Sequence, residues 1–562
     1  MQKLPILAAI AATAGVAAAQ NPRTPVKVDT ATLAEFPDVA SNGDLSAILY
    51  QDQATEGLFV ATSDGRGINW NAPVRIDDKV GTTVNFLDTR ETLHIANGNI
   101  FAAWRDERNS AEDDLYFTYS TDGGATWAAN IEVDKGFVSG ANPVREYSFD
   151  VDGDNGAILI STDNGDEELY LVTSTSMSTG TLSAAMSATT FNGLGDTDAI
   201  QVDVEGDIVH IAFLHDVSGL NQTYYSAYDL ATNTFLTQDL LVSANSQAAG
   251  GDSPFGLSMH ADGGTALIAF DVDGINGTND ELWANVVTGG ASLGDVLVGN
   301  YPLGTTDVDN ADALMNGNMA VVAWEDNRSG GDESFVASAD ISGGSLSFTE
   351  YPVSVGAAGF PAINGGGDYV AVSGSAGGFP ENVQAVASRD GGMTFGSMFV
   401  AATTVGDVDF AELAYNATYN NFVVSLLDDT NGSNECYAGG FRVQTIEAVG
   451  TFSTGSPVSF DASNFGASED GQFFGVLASL SMGSTFAPDG RELGLTSDVA
   501  FARTRGGIPG QFSGSLAGGM GSTSTVNLPP LTAGTTLYFV AIGYDALANL
   551  YSLTDVNSVV TL

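Results

Sequence analysis

The chain of 562 residues has one cysteine, Cys436, four histidines, and only 17 Lys and Arg against 69 Asp and Glu. A lone cysteine excludes an internal disulfide, so the fold must rest on its core. The histidines His94, His210, His215 and His260 show no metal-site spacing and read as structural residues. A net charge of −52 excludes nucleic acid and anionic membrane as partners, since both need a basic surface. It suits solubility through surface charge, or divalent cations. No Gly-x-Ser-x-Gly elbow, phosphate loop or dinucleotide fingerprint occurs, so no organic cofactor is expected. Beyond Val16 no apolar run approaches the ~18–20 residues of a membrane span. Before it, Lys3, the apolar run Leu4 to Val16 and Ala17-Ala-Ala19 form a secretory signal with cleavage expected after Ala19. The mature protein is expected to be secreted or held at the cell surface.

What is abundant is glycine, 68 residues, with many Asp, Asn, Ser and Thr. These interrupt helices and favour short strands joined by tight turns. A unit of about 53 residues recurs eight times between roughly Pro25 and Thr445. One copy carries Ala96-Asn-Gly-Asn99, Trp104-Arg-Asp-Glu-Arg108 and Ser120-Thr-Asp-Gly-Gly-Ala-Thr-Trp127; another repeats Met315-Asn-Gly-Asn318 and Trp324-Glu-Asp-Asn-Arg328. Asn-Gly and Asp-Gly pairs suit type I′ hairpin turns, and near-continuous apolar runs such as Ile208 to Phe213 suit strands covered on both faces. Four strands per unit, repeated radially, predict an all-β chain with a β-propeller of eight blades, or seven if one unit is disrupted. The last unit lacks a fourth strand, while Thr24-Pro-Val-Lys-Val-Asp-Thr30 matches the first unit's fourth strand, Ala72-Pro-Val-Arg-Ile-Asp-Asp78. The N-terminal strand is therefore expected to complete the last blade and remove an open edge.

Ser120-Thr-Asp-Gly-Gly-Ala-Thr-Trp127 and Ser388-Arg-Asp-Gly-Gly-Met-Thr-Phe395 resemble the Asp-box (BNR repeat) of sialidase-type propellers. The hydroxyl and carboxylate of Ser120, Asp122, Ser388 and Asp390 can bond turn amides, Gly124 and Gly392 fit the turn, and Trp127 and Phe395 can pack between strands. These eight residues read as structural. The resemblance also implies a site of three arginines on separate blades with a Tyr–Glu pair and an acid Asp. Here no arginine lies between Arg145 and Arg328, and only Arg90, Arg145 and Tyr147 stand near strand starts as a partial catalytic set. Family enzymes have six blades, a further departure.

Loops entering each blade, and loops from second to third strand, share one acidic face. Asp271, Asp273 and Asp280, in Asp271-Val-Asp-Gly-Ile-Asn-Gly-Thr-Asn-Asp280, are the best candidates there for Ca²⁺, which takes six to eight oxygen ligands. Asp106 with Arg108, and Asp326 with Arg328, read as internal ion pairs that order their loops. The function expected is non-catalytic binding of an extracellular glycan, protein or cation through this face. The alternative is a sialidase-superfamily hydrolase or lyase with a non-standard site. Residues 1–19 read as signal, 20–446 as propeller and 447–562 as a small β-sandwich, from strand-like runs at Gly471 to Ser481 and Thr536 to Gly543. This last segment resembles a C-terminal module of secreted proteins of planctomycete-like bacteria, through Leu477-Ala-Ser-Leu-Ser-Met-Gly-Ser484 and Pro488-Asp-Gly-Arg491.

Overall fold

The computed structural model describes residues 23–561 apart from 30–32, 80–83, 86–91, 109–113, 135–143, 164–166, 193–194, 217–219, 249–255, 274–279, 301–307, 329, 354–359, 377–380, 404–405, 407, 430–432, 454–455, 507, 509 and 528–531. The expected signal segment and Arg90 lie outside the described residues. No described helix is long and apolar enough to cross a membrane.

Among the described residues up to Phe441, eight antiparallel sheets follow one another along the chain. The first runs Ala34–Asn42, Leu45–Asp52, Gly57–Asp64 and Val74–Arg75, each strand paired with the next. The sixth repeats the plan with Val308–Asn316, Met319–Asp326, Glu333–Asp340 and Thr349–Pro352. First strands of consecutive sheets touch in sequence, and Ala34–Asn42 also touches Val408–Asn416 of the eighth sheet, so the circuit closes. An apolar cluster fills each gap between neighbours, including the last: Val39, Ile48 and Tyr50 pack on Val423, Leu427 and Cys436. This is a β-propeller. Each second strand is buried on both faces, as its apolar run requires.

The strand Arg23–Lys27 pairs antiparallel with Glu435–Phe441 and supplies the eighth sheet's outer strand. The likeness of Thr24–Thr30 to Ala72–Asp78 has a specific cause. Asp29 accepts a hydrogen bond from the Cys436 amide at 2.5 Å, and Asp77 accepts one from the Leu58 amide at 2.7 Å. In both blades the carboxylate ending the fourth strand covers the amide just inside the third.

After Arg442 the chain forms two further sheets. One joins Thr445–Gly450 and Pro457–Ser463; the other joins Phe473–Ser479 and Thr536–Tyr544, with shorter strands at their edges. Ile446, Val458 and Phe460 face Phe474, Val476 and Phe539 across a shared core. The first of these strands starts at Thr445, two residues before the change in pattern at Glu447. A helix, Val499–Gly506, has no counterpart in the sequence reading. Asp498 caps it, accepting from the amides of Ala500 at 2.9 Å and Phe501 at 3.0 Å.

This unit is held against the propeller on the side of the first hairpin turns. Arg389 donates to the Phe465 carbonyl at 3.0 Å, Ser468 donates to Asp368, and Arg66 pairs with Glu492 at 2.5 Å. Asp555 receives Arg23 at 3.1 Å and Arg442 at 3.5 Å. Burial lowers the Arg442 pKa to about 10, against the pull of Asp555. The covered side is thus the turn side, and the entry side is the opposite one.

Candidate functional site

The channel at the centre of the ring is about 250 Å³ in volume and is lined by first strands, with Asp38, His94, His260, Asp312 and Glu412 among its walls. A first strand is the inner edge of its sheet, so half its amides have no partner within the sheet. Polar side chains of the preceding blade supply one, in three rungs. In the rung farthest from the hairpin turn, Asp38 accepts from the amides of Thr92 at 2.7 Å and Leu93 at 2.9 Å. Ser148 accepts from Val202, Ser258 from Ala313, and Asp312 from Ile363. In the middle rung Asp150 accepts from Val204 and Asp203 from Ala261, each at 2.6 Å, and His260 Nδ1 accepts from Met315 at 3.3 Å. In the rung at the turn, Asp152 accepts from Gly206, Glu205 from Gly263 and Asp262 from Gly317. The turn glycines hold positive φ, which leaves their amides open to these acceptors.

Backbone irregularities aim several of these groups. Register shifts fall between Glu35 and Asp38, Asp309 and Asp312, and Asp409 and Glu412, immediately before each channel carboxylate. Phe36 and Asn310 take φ of 47° and 56° inside two of them. A bulge shifts the alternation by one residue and turns the next side chain inward.

The rungs explain most of the channel's acidity, and one pair stands out. Burial first, then the charge of the neighbouring Asp150, pushes the Asp203 pKa well up. His94 Nδ1 lies 3.1 Å from Asp150 Oδ1, while Oδ2 takes the Val204 amide. The depth of His260 in the channel lowers its pKa, consistent with a neutral ring accepting at Nδ1. Burial likewise raises the Asp38 pKa against three hydrogen bonds from Thr92 and Leu93. His94 and His260 stand among the histidines read as structural, whereas Asp38, Asp203 and Asp312 escaped the sequence reading, although each polar residue stands at a fixed distance before its turn glycine.

The residues singled out from sequence fall elsewhere. In both Ser-x-Asp-Gly-Gly turns the hydroxyl and carboxylate make the same bonds. Ser120 Oγ accepts from the Gly124 amide at 2.9 Å and Asp122 from the Thr126 amide at 2.8 Å. Ser388 Oγ accepts from Gly392 and Asp390 from Thr394, each at 2.8 Å. Gly124 and Gly392 hold φ of 87° and 99°. Trp127 packs into the cluster between the first two sheets and Phe395 into that between the sixth and seventh. Tyr147 is fully buried and donates to the Ala103 carbonyl at 2.9 Å. The Arg145 carbonyl accepts from Arg105.

On the entry side, Asp106 is enclosed by Trp104 Nε1 at 3.0 Å and by Arg108, whose guanidinium lies 3.8 Å from the Tyr116 ring centre. Asp326 is held by Trp324 Nε1 at 2.9 Å and by Arg328, 4.0 Å over Phe335. Two superposable brackets are loop architecture. Asp273 and Asp280 face each other as the last register partners of their hairpin, with Asp271 two residues earlier. The Asp273 side chain lies outside the described residues, and among those described no three His, Cys, Asp or Glu side chains gather around a possible metal.

No protein-family model matches this chain, and no curated protein matches it. Among solved structures, the sialidase of Trypanosoma rangeli in complex with 2,3-difluorosialic acid is 11% identical, with 87% of this chain and 85% of that one covered and a TM-score of 0.35. The phage phi92 endosialidase is 9% identical, covering 66% and 71%, TM-score 0.34. A prolyl endopeptidase is 12% identical, TM-score 0.37, with 78% of this chain matching 54% of that one. None of the three superposes closely enough to bear on activity.

Proposed function

We propose that this protein is an exported, non-catalytic binding propeller that engages an extracellular glycan, protein or cation through its acidic entry side. The observation that carries this reading is the state of the described arginines of the propeller. Recognition of an anionic sugar needs guanidinium groups free to take a carboxylate in bidentate fashion. Arg66, Arg75, Arg108 and Arg328 are each paired with a carboxylate of their own or a neighbouring strand, Arg105 serves backbone carbonyls, and Arg145 also has a partner within the chain. The carboxylates on the first strands are likewise engaged within the fold. Asp150 accepts from the Val204 amide and Asp203 from the Ala261 amide, each at 2.6 Å, so both hold the first strand of the next blade. With the turn side covered by the C-terminal unit, the entry side is the open one. Cation binding at Asp271, Asp273 and Asp280 belongs to the same reading, since like charges opposite one another in a hairpin destabilise it.

A glycan array run beside a panel of chromogenic glycosides tests this. The expected result is retention on a subset of glycans, or none, without turnover. Release of chromophore from any sialoside above background would establish the alternative, a hydrolase or lyase working through entry-side acids.

A further inference from the structure

A second cavity, about 570 Å³, lies between the two C-terminal sheets and the helix Val499–Gly506. Its inner wall is apolar: Phe460 from one sheet faces Ala478 and Leu537 from the other, all three buried. Its exposed lining residues include Arg503, Gln511 and Asn527, which place hydrogen-bond donors at the mouth. That volume falls within the ~300–1,000 Å³ of small-molecule sites, and an apolar bore with a few polar groups at one end is their usual build.

Charge singles it out further. The chain has 69 acidic and 17 basic residues, yet among the described residues no carboxylate lines this cavity. Arg23, Arg66, Arg75, Arg108, Arg328, Arg389, Arg442 and Arg491 each reach a carboxylate. Arg503 is exposed on the last turn of its helix and has no ion pair or side-chain hydrogen bond among the described residues. A guanidinium without a counter-ion, over an apolar bore, complements one kind of molecule.

We propose that the cavity binds a free, single-tailed anionic amphiphile, with its tail between the sheets and its carboxylate or sulfate head on Arg503. An anionic bilayer is a poorer fit, because a net charge of −52 repels it before one arginine could act.

The test is calorimetric titration of the full chain with decanoate below its micelle concentration, and with decanol as the neutral control. One saturable site per chain is expected. Arg503→Gln should weaken decanoate about tenfold, one guanidinium–carboxylate contact, and change decanol less than twofold. Val499→Glu, at a position 78% exposed and therefore safe for folding, sets a like charge at the mouth and should weaken decanoate similarly. Absence of saturable binding would overturn the proposal, as would equal decanoate affinity in the parent and both variants. So would uptake by phosphatidylglycerol vesicles without binding of the monomer, or a dimer that decanoate does not disrupt, which would make a second copy the occupant.

Discussion

Asp134 shows how one carboxylate can set a pH dependence. It ends a fourth strand as Asp29 and Asp77 do, and accepts from the Leu115 amide at 3.2 Å. Unlike Asp77, which also holds Arg75 at 2.5 Å, it faces Asp114. Burial, then the Asp114 charge, raises its pKa to about 7. The folded chain therefore keeps a proton that the unfolded chain, titrating near 3.9, releases. This contribution to stability is fully present below about pH 4 and is lost as pH rises through about 7. Asp134→Asn keeps the acceptor oxygen and removes the charge. At pH 8 it should stabilise the protein by roughly 1–3 kcal/mol, with little effect at pH 4. Melting curves at the two pH values check this, and equal shifts at both would refute the assigned charge state.

At the scale of elements, the rungs between first strands tie each blade to the next. Asp38→Ala would leave the Thr92 and Leu93 amides without an acceptor in a confined channel, at a cost of roughly 2–4 kcal/mol. Asp38→Asn retains one acceptor and should cost less than about 1 kcal/mol, because burial already disfavours the charge. Urea denaturation separates the two. These rungs show why the channel was illegible in the sequence while the Ser-x-Asp-Gly-Gly turns were not. Ser120 and Asp122 bond residues four positions away, so a local motif records the contact. Asp38 bonds residues 54 and 55 positions away, so its fixed place before the turn glycine records a contact only once blades are stacked, and a bulge at Phe36 sets its direction. The helix Val499–Gly506 was hidden for another reason. Its eight residues include Thr504 and Gly506, carry no marked apolar stripe, and depend on the Asp498 cap.

For the whole molecule, closure and charge are the two global properties, and closure was readable because the N-terminal strand copies an internal one down to its terminal aspartate. Deleting Gln20–Asp29 should remove the outer strand of the eighth sheet, uncover the Cys436 amide and break the Arg23–Asp555 pair, lowering the melting temperature far beyond the trimming of a loose end. Charge is less settled by local contacts. Much of the acidity is absorbed by amides and arginines, yet the Asp273–Asp280 register pair sets two acids opposite each other at the entry side with Asp271 close by in sequence. A cation bound only by the folded state would stabilise it by RT ln(1 + [L]/Kd), about 2.7 kcal/mol at a hundredfold excess over Kd. Extracellular sites near roughly 10⁻⁴–10⁻³ M are filled at millimolar Ca²⁺. Calcium should therefore raise the melting temperature more than an ionic-strength-matched sodium control, and Asp271→Ala or Asp273→Ala should reduce that gain. Equal shifts from calcium and sodium would mean screening alone, and the entry-side acids would then serve as a hydrated surface with no ion of their own.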